Sequence, residues 1–131
     1  MNNYFNIVKK HLQDLEYPIH LENESDGIFI INNESEGLKN LIIVVTDSIL
    51  IIEQYLTSLP NANANVYKNL LIKNRDIVHG ALVLDEAGEK VIFRDTLQIS
   101  HIDKNEIEGT INSLILLLSE YSGKLIEFSK Q

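Results

Sequence analysis

An α+β fold, with helices packed on an antiparallel sheet, is what this sequence predicts, and three observations predict it. Apolar residues recur at helical spacing near both ends of the chain. Between them stand short β-branched runs broken by turn residues. The gaps between those runs are too short for βαβ crossovers, so neighbouring strands pair antiparallel. The expected order is α-β-β-β-α-β-β-α: a sheet of about five strands with N-terminal, middle and long C-terminal helices, in one domain over 1–131.

The first helix covers about Asn3 to Glu16, where Phe5, Val8, Leu12 and Leu15 fall on one stripe. Pro18 ends it, because the residue before a proline is pushed out of helical space. Ile19 and Leu21 then alternate with His20 and Glu22, and Asp26-Gly27 supplies a hairpin turn before Ile28 to Ile31. Leu41 to Thr46 and Ile49 to Tyr55 follow around Asp47-Ser48, so that three or four strands form a meander.

After the break at Leu59-Pro60-Asn61, any of Asn61, Asn63 and Asn65 has the amide oxygen to cap a helix. That helix runs over about Asn65 to Asn74 with Val66, Leu70 and Leu71 inward. Gly80 to Leu84 and Lys90 to Phe93 flank the acidic turn Asp85-Glu86-Ala87-Gly88-Glu89, and Leu97 and Ile99 lead out of the hairpin.

The last helix has the clearest start. Asp103 with Glu106 makes a capping box, and Ile102 with Ile107 is placed for a hydrophobic staple. Ile107, Ile111, Leu114, Leu118 and Leu125 form its stripe, widened by Ile115 and Leu117. Gly109 marks either the close approach of another backbone or a tolerated cost, and Gly123 either ends the helix or lets it continue to Phe128.

Composition narrows the function. The 131 residues are 44% hydrophobic and 23% charged, enough for one compact domain with its own core. A formal net charge of −8 repels phosphate backbones and anionic lipid, so neither nucleic acid nor a membrane is the expected partner. Cysteine is absent, which removes disulfides, thiolate metal sites and thiol nucleophiles together. The longest apolar runs, Leu41 to Val45 and Leu114 to Leu118, fall far short of the roughly twenty residues of a bilayer span. With no signal-peptide pattern at the N-terminus, the chain reads as cytoplasmic and complete in itself.

A family resemblance rests on particular residues. Leu70-Leu71-Ile72-Lys73-Asn74, Gly80-Ala81-Leu82-Val83-Leu84-Asp85, Gly88, Val91-Ile92-Phe93-Arg94 and Leu97 resemble the pattern shared by YbjN-like proteins and type III secretion chaperones of the Tir-chaperone type. The order of elements is similar across nearly the whole chain. The resemblance implies a homodimer that holds an extended segment of a partner protein, and for the YbjN branch it implies a sensory or regulatory role. It brings no catalytic residue and no cofactor.

Candidate chemistry within the sequence is sparse. His11, His20, His79 and His101 are not spaced as a helical metal pair. His101-Ile102-Asp103 sets imidazole near carboxylate, yet Asp103 already serves as a helix cap. Asp85, Glu86 and Glu89 lack the dense oxygen set of a calcium loop, so solvated turn residues are the simpler reading. Neither a phosphate loop nor a Gly-x-Ser-x-Gly elbow occurs. No catalytic, metal or cofactor site is therefore expected. An enzyme centred on His101 or Asp85 is the third-ranked reading.

What remains is surface. Leu41 to Val45 and Ile49 to Ile52 are apolar at every position, so both faces of this part of the sheet need cover. Either helices of the same chain supply it on both sides, or a second subunit or a bound segment supplies one side. The expected partner or dimer surface comprises Ile43, Val45, Ile49, Ile51, Val66 and Leu70. The alternative is a small-ligand sensory or regulatory domain with a pocket between sheet and terminal helix, lined by Ile111 and Ile115.

Overall fold

The computed structural model describes residues 3–61 and 63–130. Helix α1 (Tyr4–Asp14) buries Phe5, Val8 and Leu12 on one stripe. Four strands follow: β1 (Ile19–Asn23), β2 (Ile28–Asn33), β3 (Leu38–Val45) and β4 (Ile49–Ser58). Helix α2 (Ala64–Lys73) leads through a 3-10 turn at Asn74–Asp76 into β5 (Ala81–Leu84) and β6 (Lys90–Gln98). Helix α3 (Lys104–Ser129) completes the fold.

All six strands join one antiparallel sheet in the order β1-β2-β3-β4-β6-β5. Six strands stand where about five were expected, because the first part of the chain holds four, the upper count of the three or four read there. In β1 only Ile19 is partly buried and a register irregularity falls between Ile19 and Leu21, so the half-buried alternation read there is realised only at its first residue. The first four strands form the expected meander. The later hairpin then docks β6 along β4 over a long register, from Ile49 opposite Gln98 to Ser58 opposite Lys90.

The local signals explain the element ends. Asn63, of the three candidate asparagines, caps α2 by accepting the Val66 N–H at 3.2 Å. Asp103 accepts the Asn105 N–H at 2.9 Å while Glu106 accepts the Asp103 N–H at 3.0 Å, so the capping box forms as read. Gly123 does not stop α3, which has open space at that position and continues to Ser129. Gly80 has φ +84°, and a Cβ there would meet the Phe93 ring, with Cε1 at 2.8 Å. Only glycine combines that backbone with an aromatic neighbour so close.

The helices share one face of the sheet. Phe29 and Ile31 of β2, Leu41 and Ile43 of β3, Leu50 and Ile52 of β4, and Val91 and Phe93 of β6 are all fully buried. They meet Phe5, Val8 and Leu12 of α1, Val66 and Leu70 of α2, and Ile107, Ile111 and Leu114 of α3 in one core. Phe5 stacks on Phe29 with ring centroids 4.3 Å apart. Polar ties pin the same layer: Thr110 donates to Asp95 Oδ2 at 2.6 Å, Tyr67 donates to the Gly88 carbonyl at 3.0 Å, and His11 Nε2 donates to the Ile102 carbonyl at 3.1 Å.

Candidate functional site

Among the described residues, no helix lies on the opposite face of the sheet. Strand side chains alternate, so the residues between the core positions point the other way. Ile28 and Ile30 of β2, Ile42 and Val44 of β3, Ile49 and Ile51 of β4, and Ile92 of β6 are each only partly buried. None of them belongs to the core or packs against it. Register lines them up across the strands. One row runs Leu21, Ile30, Ile42, Glu53, Arg94 and Ala81, and the next runs Asn23, Ile28, Val44, Ile51 and Thr96. Leu21 at one end is 46% exposed and Tyr55 on β4 is 53% exposed.

This face is apolar and close to neutral. Its central charges, Glu53 and Arg94, lie opposite each other on β4 and β6 and form an ion pair. The chain as a whole carries a net charge of −8, so this apolar, nearly neutral face stands out from the rest of the surface. Of the alternatives posed by the unbroken apolar strands, helices on both sides is the one the structure does not adopt.

The six residues expected at a partner surface divide by the phase of their elements. Ile49 and Ile51 lie on the bare face. Val45 is partly buried against the core on the helix side. Ile43 and Val66 are fully buried and Leu70 is 5% exposed, so these three belong to the chain's own core and are withdrawn from the surface set. Leu71, expected inward, is 69% exposed, because α2 turns only its Val66–Leu70 side to the sheet. The residues missed were Leu21, Ile28, Ile30, Ile42, Val44 and Ile92. Glu53 and Arg94 carried the signal for them: a charge inside an apolar strand marks its solvent side, and antiparallel register extends that phase to the neighbouring strands.

The histidines stay apart. His20 and His101 are exposed, His11 is bonded to the Ile102 carbonyl, and His79 lies against α3 with its N–H 3.2 Å from Ser113 Oγ. Among the described residues, no three His, Asp or Glu side chains gather as a metal ion would require. Asp85 is occupied locally. Its Oδ1 accepts the N–H groups of Lys90 at 3.0 Å and Glu89 at 2.9 Å, and these bonds hold its carboxyl below the usual carboxylate range.

A cavity of about 580 Å³ opens between the β3–β4 end of the sheet and the C-terminal half of α3, lined by Gln54, Leu56, Ile115, Leu118 and Leu125 among others. Ile115 is where the ligand reading expected it. Ile111 is instead fully buried in the core. No helix among the described residues is long and apolar enough to cross a membrane.

Comparison with known proteins agrees with this geometry. No curated protein matches the sequence. Among solved structures, the fold is similar to YbjN of E. coli, described as a putative transcription regulator, with a TM-score of 0.69 and 13% identity over 91% of each chain. It is similar to a chain of the heterodimeric ExoU–SpcU complex from the type III secretion system of Pseudomonas aeruginosa, with a TM-score of 0.69 and 17% identity over 88% of this chain and 95% of that one. It is also similar to a chain from the complex of the Yersinia pestis type III secretion chaperone SycH with a stable fragment of YscM2, with a TM-score of 0.61 and 12% identity over 94% and 99%. Identities this low speak for the fold alone. The sequence itself matches the CesT_Tir_1 family over residues 1–131, and the protein is therefore a member of that type III secretion chaperone family.

Proposed function

We propose that the chain is a non-catalytic, chaperone-like binding module, cytoplasmic and homodimeric, that holds an extended segment of a partner protein on the bare face of its sheet. The observation that carries this reading is the isoleucine-rich face itself, left without a helix by a fold that places all three on the other side. An extended chain presents alternate side chains to such a surface and fills it without needing a shape of its own. Family membership supports the reading, as do the protein complexes in which relatives of this fold were solved, the HopA1–SchA chaperone–effector complex among them.

The test is purification from the source cell, with light scattering for mass and mass spectrometry for co-purifying chains. The reading expects a mass above one 14.9 kDa chain and one recurrent protein whose bound segment resists proteolysis. It also expects that segment to be lost from a well-folded Ile51→Glu variant. A clean monomer with nothing bound, or a variant that keeps the partner, overturns it.

A small-ligand sensory role is the second reading, supported by the cavity beside Ile115. It predicts that some metabolite raises the thermal midpoint and that Ile115→Trp abolishes the rise.

A further inference from the structure

We propose that the Glu53–Arg94 pair makes the bare face selective for extended segments that carry an uncharged hydrogen-bonding side chain between two apolar ones. The inference rests on the partner-binding reading and specifies which segment that face accepts.

Register sets the pattern. On β4 and β6, Ile51 lies opposite Thr96, Glu53 opposite Arg94 and Tyr55 opposite Ile92. These pairs succeed one another along the strands at intervals of about 6.7 Å, the spacing at which an extended chain turns every second side chain to the same side. A segment lying along β4 and β6 therefore sets three successive inward side chains over the three pairs. The outer two meet Ile51 with the methyl of Thr96, and Tyr55 with Ile92, which calls for apolar groups. The middle one meets the ion pair.

Charge and hydrogen bonding decide that middle side chain. Glu53 and Arg94 cancel, so an ion of either sign gains no net attraction there. It also gives up its water to sit beside one like charge. A leucine in the same place strips water from both ions and replaces none of its bonds. One bond, from Arg94 Nη1 to Glu53 Oε1, joins the pair. A guanidinium has further N–H groups and a carboxylate a second oxygen, so both have capacity to spare. Glutamine, asparagine, serine and threonine each hold a donor and an acceptor and can bond to both ions at once. The segment thus reads apolar-x-polar-x-apolar, with the polar position uncharged.

A display library of random nine-residue segments, panned on the purified parent protein, is the test. Enriched segments are expected to carry an uncharged polar residue at the centre of that pattern. Synthetic copies with lysine, glutamate or leucine at that position are expected to bind about tenfold more weakly or worse. Arg94→Gln leaves Glu53 unopposed and is expected to enrich lysine or arginine there, while Glu53→Gln is expected to enrich aspartate or glutamate. Water reaches both side chains, Arg94 being 41% exposed and Glu53 27%, so each variant is expected to fold. Should either fail to, the discrimination among synthetic copies on the parent decides alone.

Segments that bind Ile51→Glu as tightly as the parent overturn the bare-face reading, and this inference with it. So does a library from which nothing is enriched. Segments lost from Ile51→Glu whose central residue is unselected on the parent, or selected identically by Arg94→Gln and Glu53→Gln, leave that reading standing and overturn the inference alone.

Discussion

The imidazole of His79 lies against the bare Cα of Gly109. A methyl group at position 109 would stand 3.2 Å from its Cδ2 and 3.3 Å from its Nε2. The early turns of α3 thus leave room for the loop before β5, which also reaches the helix through Ser113. The approach that Gly109 signalled comes from a side chain, not from a backbone.

That contact sets a balance for Gly109→Ala. Alanine gains about 1 kcal/mol of helix propensity over glycine, whereas His79 is exposed and its ring can swing aside by the few tenths of an ångström needed. The substitution is expected to stabilise the protein by about 0.5–1 kcal/mol. Thermal denaturation should show a Tm raised by a few degrees, and a lowered Tm would show that the loop cannot yield.

Ile51 and Leu70 were grouped by sequence and are separated by structure. Leu70→Glu buries a carboxylate in a site 5% exposed and is expected to unfold the chain or cost more than about 4 kcal/mol. Ile51→Glu places the charge on the bare face near Glu53 and is expected to cost less than about 1.5 kcal/mol. Urea denaturation of the two variants distinguishes them. Only the second is then usable for reading partner capture.

Tyr17 predicts alkaline sensitivity. Burial, helped by the carboxylates of Glu108 and Glu36, pushes its phenol up to about 12 from an ordinary 10.0. The folded state favours the protonated form. This contribution is complete below pH 10.0 and is lost as pH rises toward about 12. Burial raises Tyr121 in the same direction. Urea midpoints measured across the tyrosine titration range should fall with rising pH, and fall less steeply in Tyr17→Phe.

The α3 capping box gives a local prediction. Asp103→Ala leaves the Asn105 N–H without its side-chain acceptor and should cost about 1 kcal/mol. Asp103→Asn should recover most of it, because the amide oxygen also caps. Equal losses in the two variants would mean that the charge, through the helix dipole, matters more than the bond.

Local chemistry was legible wherever it was complete within a few residues. Pro18, Asn63, Asp103 with Glu106, and the Asp85 turn each did what their residue types require, because capping and turn geometry are short-range. The edge strand β1 was read from its alternation, whereas its register irregularity and the exposure of Leu21 depend on how it meets β2. The candidate site was half legible. Unbroken apolar runs showed that two faces needed cover, but Ile43 and Ile42 look alike until one residue's phase is anchored. The pair of hydrogen bonds between Asn74 and Leu82 was not legible at all, because the two residues lie eight apart across a turn.

By itself, then, the sequence determined the element order, the antiparallel pairing of neighbours, the helix caps and the family pattern, all of which depend on periodicity and local hydrogen bonding. Tertiary structure alone decided that α1, α2 and α3 share one face and that Ile30, Ile42 and Ile51 lie bare on the other. The physical reason is that burial is a property of what packs against a residue, and a strand apolar on both sides is indifferent to which side its helices choose.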